Sequence, residues 1–300
     1  MRINAVLNAD GGTLRTTDLG AYCTEIVATF ADAGHDLRCH CTPGRDLSSA
    51  LSASFADGDA DAVIAAGGDG TVSAAAAIAW RTGKPLGVIP AGTMNLFARS
   101  LGIPLEIREA ARALARHTVG DCDIATANGR PFLHQFSVGF HPQMVRLREA
   151  RNYNSRLGKI AASLLAALDT VRRPPQFQVD IAIDGETARL RLASLAVSNN
   201  PYGDGHMPYA DDLTTGELGI YSARPATASA NAGMLADLVI GAWRANPDIA
   251  EKLGRHVMLS FRRLPRRAQA AIDGELVDLP ASVEIRMHPG ELRVLRPLQG

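Results

Sequence analysis

Asp61-Ala62-Val63-Ile64-Ala65-Ala66-Gly67-Gly68-Asp69-Gly70-Thr71 decides the reading of this chain. Residues 61–66 read as a strand, apolar from 62 onward with no polar alternation, the signature of a strand buried on both faces. The glycine-rich turn leads directly into an Ala-rich stretch, 72–81, that reads as a helix. A strand, a tight turn and a helix N-terminus together make an anion site. Glycines let backbone N–H groups approach phosphate oxygens, and the helix dipole favours negative charge there. Asp69 is out of place beside phosphates unless a magnesium ion lies between them, or unless it handles a hydroxyl proton. The turn is neither a Walker loop nor a GxGxxG dinucleotide turn.

Working outward, the next apolar run, 86–90, ends in Ala91-Gly92-Thr93-Met94-Asn95, again a glycine and a hydroxyl opening a helix. Upstream, a strand over 3–7 ends at Asn8, ahead of Gly11-Gly12. Loops after neighbouring parallel strands converge at the carboxyl edge of the sheet, where ligands bind in open α/β folds. Strands at 36–41 and 61–66 alternate with helices at 18–33, 43–55 and 105–116. Residues 1–125 therefore read as a Rossmann-like α/β domain with a mostly parallel sheet. Residues 126–300 read differently. One long helix is expected around 157–171 and another at 228–244. The rest is short strands with turn signals at Asn128-Gly129, Asp184-Gly185, Asp273-Gly274 and Pro289-Gly290. This half is expected to be mainly antiparallel.

Composition bounds the alternatives. With 46% hydrophobic and 21% charged residues, 300 residues supply cores for about two domains. No apolar run approaches the ~20 residues of a spanning helix, and the N-terminus lacks the apolar region of a signal peptide. A cytoplasmic protein is the expectation. Net charge is zero, yet the first 125 residues carry 10 basic and 14 acidic residues and the remainder 21 and 17. Basic clusters fall at 146–173 (Arg146, Arg148, Arg151, Arg156, Lys159, Arg172, Arg173) and at 255–267 (Arg255, Arg262, Arg263, Arg266, Arg267). They read either as solvated faces or as contacts to an anionic surface. Four cysteines suggest no disulfide framework. Cys39 and Cys41 alternate with Leu37 and are expected as small core residues, and no second cysteine or histidine pair completes a zinc site.

Gly67-Gly68-Asp69-Gly70-Thr71, the run 86–90 with Gly92-Thr93-Met94-Asn95, and Asp273-Gly274-Glu275 together resemble the bacterial lipid kinases that share the diacylglycerol/sphingosine kinase catalytic domain. The resemblance covers essentially the whole chain. It implies a nucleotide-binding α/β domain, a β-sandwich-like lipid domain and a ligand cleft between them. It further implies magnesium-dependent transfer of the γ-phosphate of ATP to a lipid hydroxyl. By motif, Asn8, Thr42, Gly67, Gly68, Asp69, Gly70, Thr71, Val72, Ser73, Ala74, Thr93 and Asn95 fall where the family binds ATP. Glu275 falls on its proton acceptor, with Asp273 beside it, and Asp212, Thr215 and Glu217 lie where it holds a structural magnesium. Three departures break the pattern. Ser73-Ala74 replace Asn-Glu, Leu96 replaces Asp, and Thr215 replaces a metal-site Asp, so that ion is absent or Asp211 and Asp212 substitute. The implied partners are a lipid substrate and a peripheral anionic membrane surface at the inner face of the membrane, with no nucleic acid. Two other readings stay open: an NAD kinase, which shares Gly-Gly-Asp-Gly-Thr, and a nucleotide- or lipid-binding protein without turnover. Asp184-Gly185-Glu186 repeats the C-terminal tripeptide between two alternating runs and reads as a hairpin turn.

Overall fold

The structure is a computed structural model and describes residues 1–149, 175–206, 209–225 and 227–298. The chain divides into two compact units, Met1–Ile124 with Pro289–Gly300, and Ala125–His288.

The first unit is built on parallel strands β1 (Arg2–Asn8), β2 (Asp36–Thr42), β3 (Ala62–Gly67) and β4 (Leu86–Pro90), in the order β2-β1-β3-β4. Every residue of β3 and β4 is buried, as parallel strands covered on both faces require. The helices are α1 (Leu19–Asp32), α2 (Leu47–Ala56), α3 (Asp69–Thr82), α4 (Leu96–Ser100) and α5 (Ile107–Ala115). Asp18 caps α1 by accepting from the Ala21 N–H at 3.1 Å. Buried Ala75, Ala76 and Ala79 give α3 a small-residue core-facing side.

The remaining strands are β5 (His117–Ala127), β6 (Arg130–Phe132), β7 (Gln135–Gly139), β8 (Phe177–Ile183), β9 (Glu186–Leu192), β10 (Ser194–Asn199), β11 (Leu218–Ala223), β12 (Ile249–Gly254), β13 (His256–Ser260), β14 (Gln269–Ile272), β15 (Glu275–Asp278) and β16 (Ser282–Pro297). Among the described residues, the helices α6 (Phe140–Glu149) and α7 (Ala228–Ile240) accompany them. In the second unit β12-β11-β10-β7-β14-β15 form one antiparallel sheet. A second antiparallel layer is formed by β9, β8, β13 and the first part of β16. Phe136, Val138, Leu195 and Val197 of one layer share a core with Val179, Ile181, Val257, Leu259 and Ile285 of the other, so the unit is a β-sandwich.

Four expectations need correction. Pro289-Gly290 is not a hairpin turn: β16 runs through it, with Gly290 at φ +66°, and Val294 pairs in parallel with Leu86. Pro289 brings no N–H to the ladder, and the Gly290 N–H goes to the Asp123 carboxylate at 2.8 Å. Residues 289–300 consequently belong to the first unit, not the second. Helix α6 was not expected, because no clear apolar period marks 140–149. Lastly, Cys39 is only half-buried and Cys41 is exposed. Strand β2 ends the sheet order, so its face is covered incompletely, and Cys39 forms a disulfide with Cys23 of α1. The long helix expected around 157–171 and most of the first basic cluster, residues 151–173, lie outside the described residues.

Candidate active site

Three loops meet at the carboxyl edge of the first unit's sheet. Gly12 comes so close to the loop after β4 that a Cβ there would sit 2.0 Å from the Ala91 carbonyl oxygen. The neighbouring Thr13 N–H donates to that same oxygen at 2.9 Å. A Cβ on Gly92 would lie 2.6 Å from the Cα of Gly68, so the two glycine loops touch backbone to backbone. Only glycine permits either approach.

Asp69 fastens the loops together. One carboxylate oxygen accepts from the Asn95 N–H at 2.9 Å and the other from the Leu96 N–H at 2.7 Å. Asn95 shapes its own loop, with φ +53°, by accepting from the Gly92 N–H at 2.8 Å and donating to the Gly92 carbonyl at 3.2 Å. Asn8 donates from its side-chain amide to Thr71 Oγ1 at 3.0 Å, joining β1 to the start of α3. Thr42 is paired with Asn8 in the sheet, and its carbonyl accepts the Ala9 N–H at 2.9 Å. Gly68 is the extended N-cap of α3, and the Val72 N–H is the first to reach an intrahelical acceptor, the Gly68 carbonyl at 3.1 Å. The N–H groups of Asp69, Gly70 and Thr71 thus precede the helix ladder, which is what an anion at a helix N-terminus needs. Nothing lies within 4 Å of the Cβ direction of Gly70. Ser73 is half-buried, and Ala74 and Thr93 are exposed, while Val72 is buried in the core. Asp10 was not anticipated. Its carboxylate accepts the Gly44 N–H at 2.7 Å and its own N–H donates to Asn8 Oδ1 at 3.1 Å. An Asx turn after a strand ending in Asn is the signal that could have found it.

In the second unit, Asp273 and Gly274 both have positive φ, +48° and +81°, in the two-residue turn between β14 and β15. The Asp273 carboxylate accepts three backbone N–H groups, from Leu133 at 2.9 Å, His134 at 2.8 Å and Gln135 at 3.0 Å. Glu275 follows, exposed and ion-paired with Arg130. Beside that pair is a cavity of about 210 Å³, lined by Arg130, Phe136, Ile272, Val277, Pro280 and Val283 among others. Asp184-Gly185-Glu186 has the same construction. Asp184 and Gly185 are at φ +48° and +94°, and the carboxylate accepts from the Arg255 N–H at 3.1 Å and the His256 N–H at 2.9 Å.

The residues implied for a structural magnesium do not fit one. Asp212 folds back onto Thr214, accepting from its N–H at 2.8 Å and its hydroxyl at 2.6 Å. Thr215 Oγ1 accepts from the Asn200 side-chain amide at 2.9 Å, which leaves Glu217 as the other carboxylate. Without a carboxylate at 215 the set is poor for a hard cation, and Asp211, which could substitute, is hydrogen-bonded to His206 at 2.9 Å. Asp69 is a better candidate. Its two N–H donors use one lone pair on each oxygen, and magnesium commonly takes one or two carboxylates with phosphate and water completing the shell.

Comparison with known proteins agrees with this layout. Residues 2–127 match the diacylglycerol kinase catalytic domain, and residues 139–296 match the YegS C-terminal NAD kinase beta sandwich-like domain. The chain is 31% identical over 252 residues to an uncharacterised protein of Synechocystis, covering 81% of this chain and 57% of that one. It is 35% identical over 116 residues to a diacylglycerol kinase of Bacillus subtilis, covering 38% of each. The chain thus spans 57% and 38% of these two relatives. A diacylglycerol kinase structure from Bacillus anthracis superposes with a TM-score of 0.72 at 22% identity, covering 99% of this chain and 97% of that one, a likeness of fold. The two matches name a kinase catalytic domain followed by a β-sandwich-like domain. The chain belongs to the YegS-like lipid kinase family that carries the diacylglycerol kinase catalytic domain.

Proposed function

We propose that the protein transfers the γ-phosphate of ATP to the hydroxyl of a diacylglycerol-like or sphingoid lipid. The observation that carries this reading is the meeting of three loops around the open N–H groups of α3, fastened by Asp69. Those N–H groups would receive phosphate oxygens, with Asn8, Thr71 and Asn95 holding the loops in place. Asp69 would hold magnesium, which would supply positive charge to neutralise the phosphates. Glu275 would accept the proton of the lipid hydroxyl, its carboxylate oriented by Arg130. The cavity beside it, where Phe136, Ile272, Val277 and Val283 lie together with Asn128, Arg130 and Asp278, would receive part of a hydrocarbon chain. Asp273, with three N–H partners, positions the turn that presents Glu275.

Incubating the protein with γ-labelled ATP, magnesium and a total lipid extract should move label into the lipid phase. Label appearing instead on added NAD would replace this reading with the NAD kinase one. ATP binding with no labelled product of either kind would leave a binding protein.

No helix among the described residues is long and apolar enough to cross a membrane. A kinase acting on lipids would meet its substrate at the bilayer surface. Arg263, Arg266 and Arg267 are exposed on the loop between β13 and β14, whereas Arg262 is held by Asp180 at 2.9 Å. Each such cation contributes about 1 kcal/mol at an anionic surface, and salt screens the attraction. Replacing all three by serine should weaken co-sedimentation with anionic vesicles by roughly two orders of magnitude at low salt. Equal binding of wild type to neutral vesicles at every salt concentration would remove the proposal.

A further inference from the structure

Cys39 and Cys41 are two residues apart on β2, so they share a face of the strand. Helix α1 brings Cys23 onto that face. The three Sγ atoms all lie within 4.8 Å of one another, with Cys23 and Cys41 at 3.4 Å and Cys23 bonded to Cys39. No other trio of His, Cys, Asp or Glu side chains among the described residues gathers ligand atoms this closely. A structural cross-link needs only two sulfurs. The third is neither packed in the core nor part of the bond: Cys41 is exposed.

We propose that Cys23, Cys39 and Cys41, once the Cys23–Cys39 bond is reduced, form a three-thiolate site for a soft divalent cation such as Zn²⁺. Zinc–sulfur bonds of about 2.3 Å in tetrahedral geometry place sulfurs about 3.8 Å apart. The Cys23–Cys41 separation and the 4.8 Å bound bracket that value. The Cα atoms of Cys23 and Cys39 are 5.8 Å apart, so both side chains can face one ion without moving α1 from β2. The exposure of Cys41 leaves the fourth position to water, as in zinc sites that keep an open place. Thiolate ligands select zinc and other soft cations over magnesium, so this site would not compete for the ion at Asp69.

The chemistry balances in two steps. A dithiol reductant gives two electrons and two protons to the Cys23–Cys39 bond and leaves as its own disulfide. Zn²⁺ then displaces the three thiol protons to solvent. The two states exclude each other: the bonded pair cannot offer three thiolates. Metal occupancy would therefore follow the reducing power of the surroundings. The site stands apart from the kinase reading and would exist whatever the unit's substrate.

The test uses the full chain, reduced with a phosphine that is then removed under anaerobic conditions. Zn²⁺ is titrated against a metallochromic competitor, and Cd²⁺ uptake is followed by its thiolate charge-transfer absorbance. Reduced wild type should take up one ion per chain, and the oxidised chain none at this site. Cys41→Ser should bind about 100-fold more weakly or worse, a larger loss than removing an outer-shell partner gives. Cys122→Ser, a substitution on β5, should bind as wild type does. Far-UV circular dichroism checks that the variants are folded. Cys23→Ser supplies a second ligand loss should Cys41→Ser disturb the strand. Absence of uptake by the reduced chain, or uptake unchanged in both Cys41→Ser and Cys23→Ser, would overturn the proposal.

Discussion

Asp69→Ala should lower phosphate transfer about 10³-fold or more while leaving a folded chain. Two effects combine. Removing the carboxylate strands the Asn95 and Leu96 N–H groups that it now accepts at 2.9 and 2.7 Å. Hydrogen bonds to a charged group are each worth roughly 1.5–3 kcal/mol, so the loop 92–95 loses its tie to α3. The substitution also removes the negative charge proposed to hold magnesium, and electrostatic groups aimed at a transition state are typically worth 10²–10³-fold each. Asp69→Asn separates the two. Asparagine keeps one acceptor for the loop but loses the charge. If the charge matters, Asp69→Asn stays nearly as slow as Asp69→Ala while its melting temperature recovers only in part, because its amide NH2 faces one of the two backbone N–H groups. If the tie alone matters, Asp69→Asn regains most of the turnover. Turnover within tenfold of wild type for Asp69→Ala, a barrier change of only ~1.4 kcal/mol, would end both roles.

Glu275→Gln should slow turnover by about 10²–10⁴-fold, the usual worth of a positioned general base. Affinity for ATP should change little, since the carboxylate is not assigned to the nucleotide. Glu186→Gln should change neither quantity. The comparison is demanding because the two turns are built alike, each with an Asp carboxylate gathering backbone N–H groups and a glycine at positive φ. Both glutamates are exposed; what separates them is that Glu275 is ion-paired with Arg130, which lines the cavity, whereas Glu186 stands at the start of β9. Arg130→Ala should therefore give an intermediate loss, read as a lower kcat at nearly constant KM for ATP. Reversal of the two glutamate results would transfer the acceptor role to the other hairpin.

The α/β unit was legible because its signals are local. Residues 62–67 are apolar without alternation because both faces of β3 are buried, and the glycines at 67, 68 and 92 mark where backbones touch. Asp69 could be singled out as anomalous, but its bonds to Asn95 and Leu96 could not be read. They depend on how two loops 26 and 27 residues apart in sequence are set side by side. The same limit hid the third cysteine. Cys39 and Cys41 are visible as a pair, whereas Cys23 joins them only through the packing of α1 on an edge strand. Pro289-Gly290 misled for the opposite reason. Its composition is that of a turn, yet the strand continues through it because the Gly290 N–H is taken by Asp123 from the neighbouring segment.

The passage of β16 into the first unit also sets an order on biosynthesis. Its residues Leu292, Val294 and Leu295 are fully buried, and Val294 pairs with Leu86 of β4. All of Ala125–His288 is made between β4 and that strand. At ribosomal rates of roughly 5–20 residues per second, β4 waits about 10–40 s for its neighbour. During that interval its apolar edge is open to pairing with other nascent chains. Excising residues 1–125 as a stand-alone nucleotide-binding fragment would make the vacancy permanent. A circular permutant that places 289–298 ahead of Met1 would instead deliver the missing strand first.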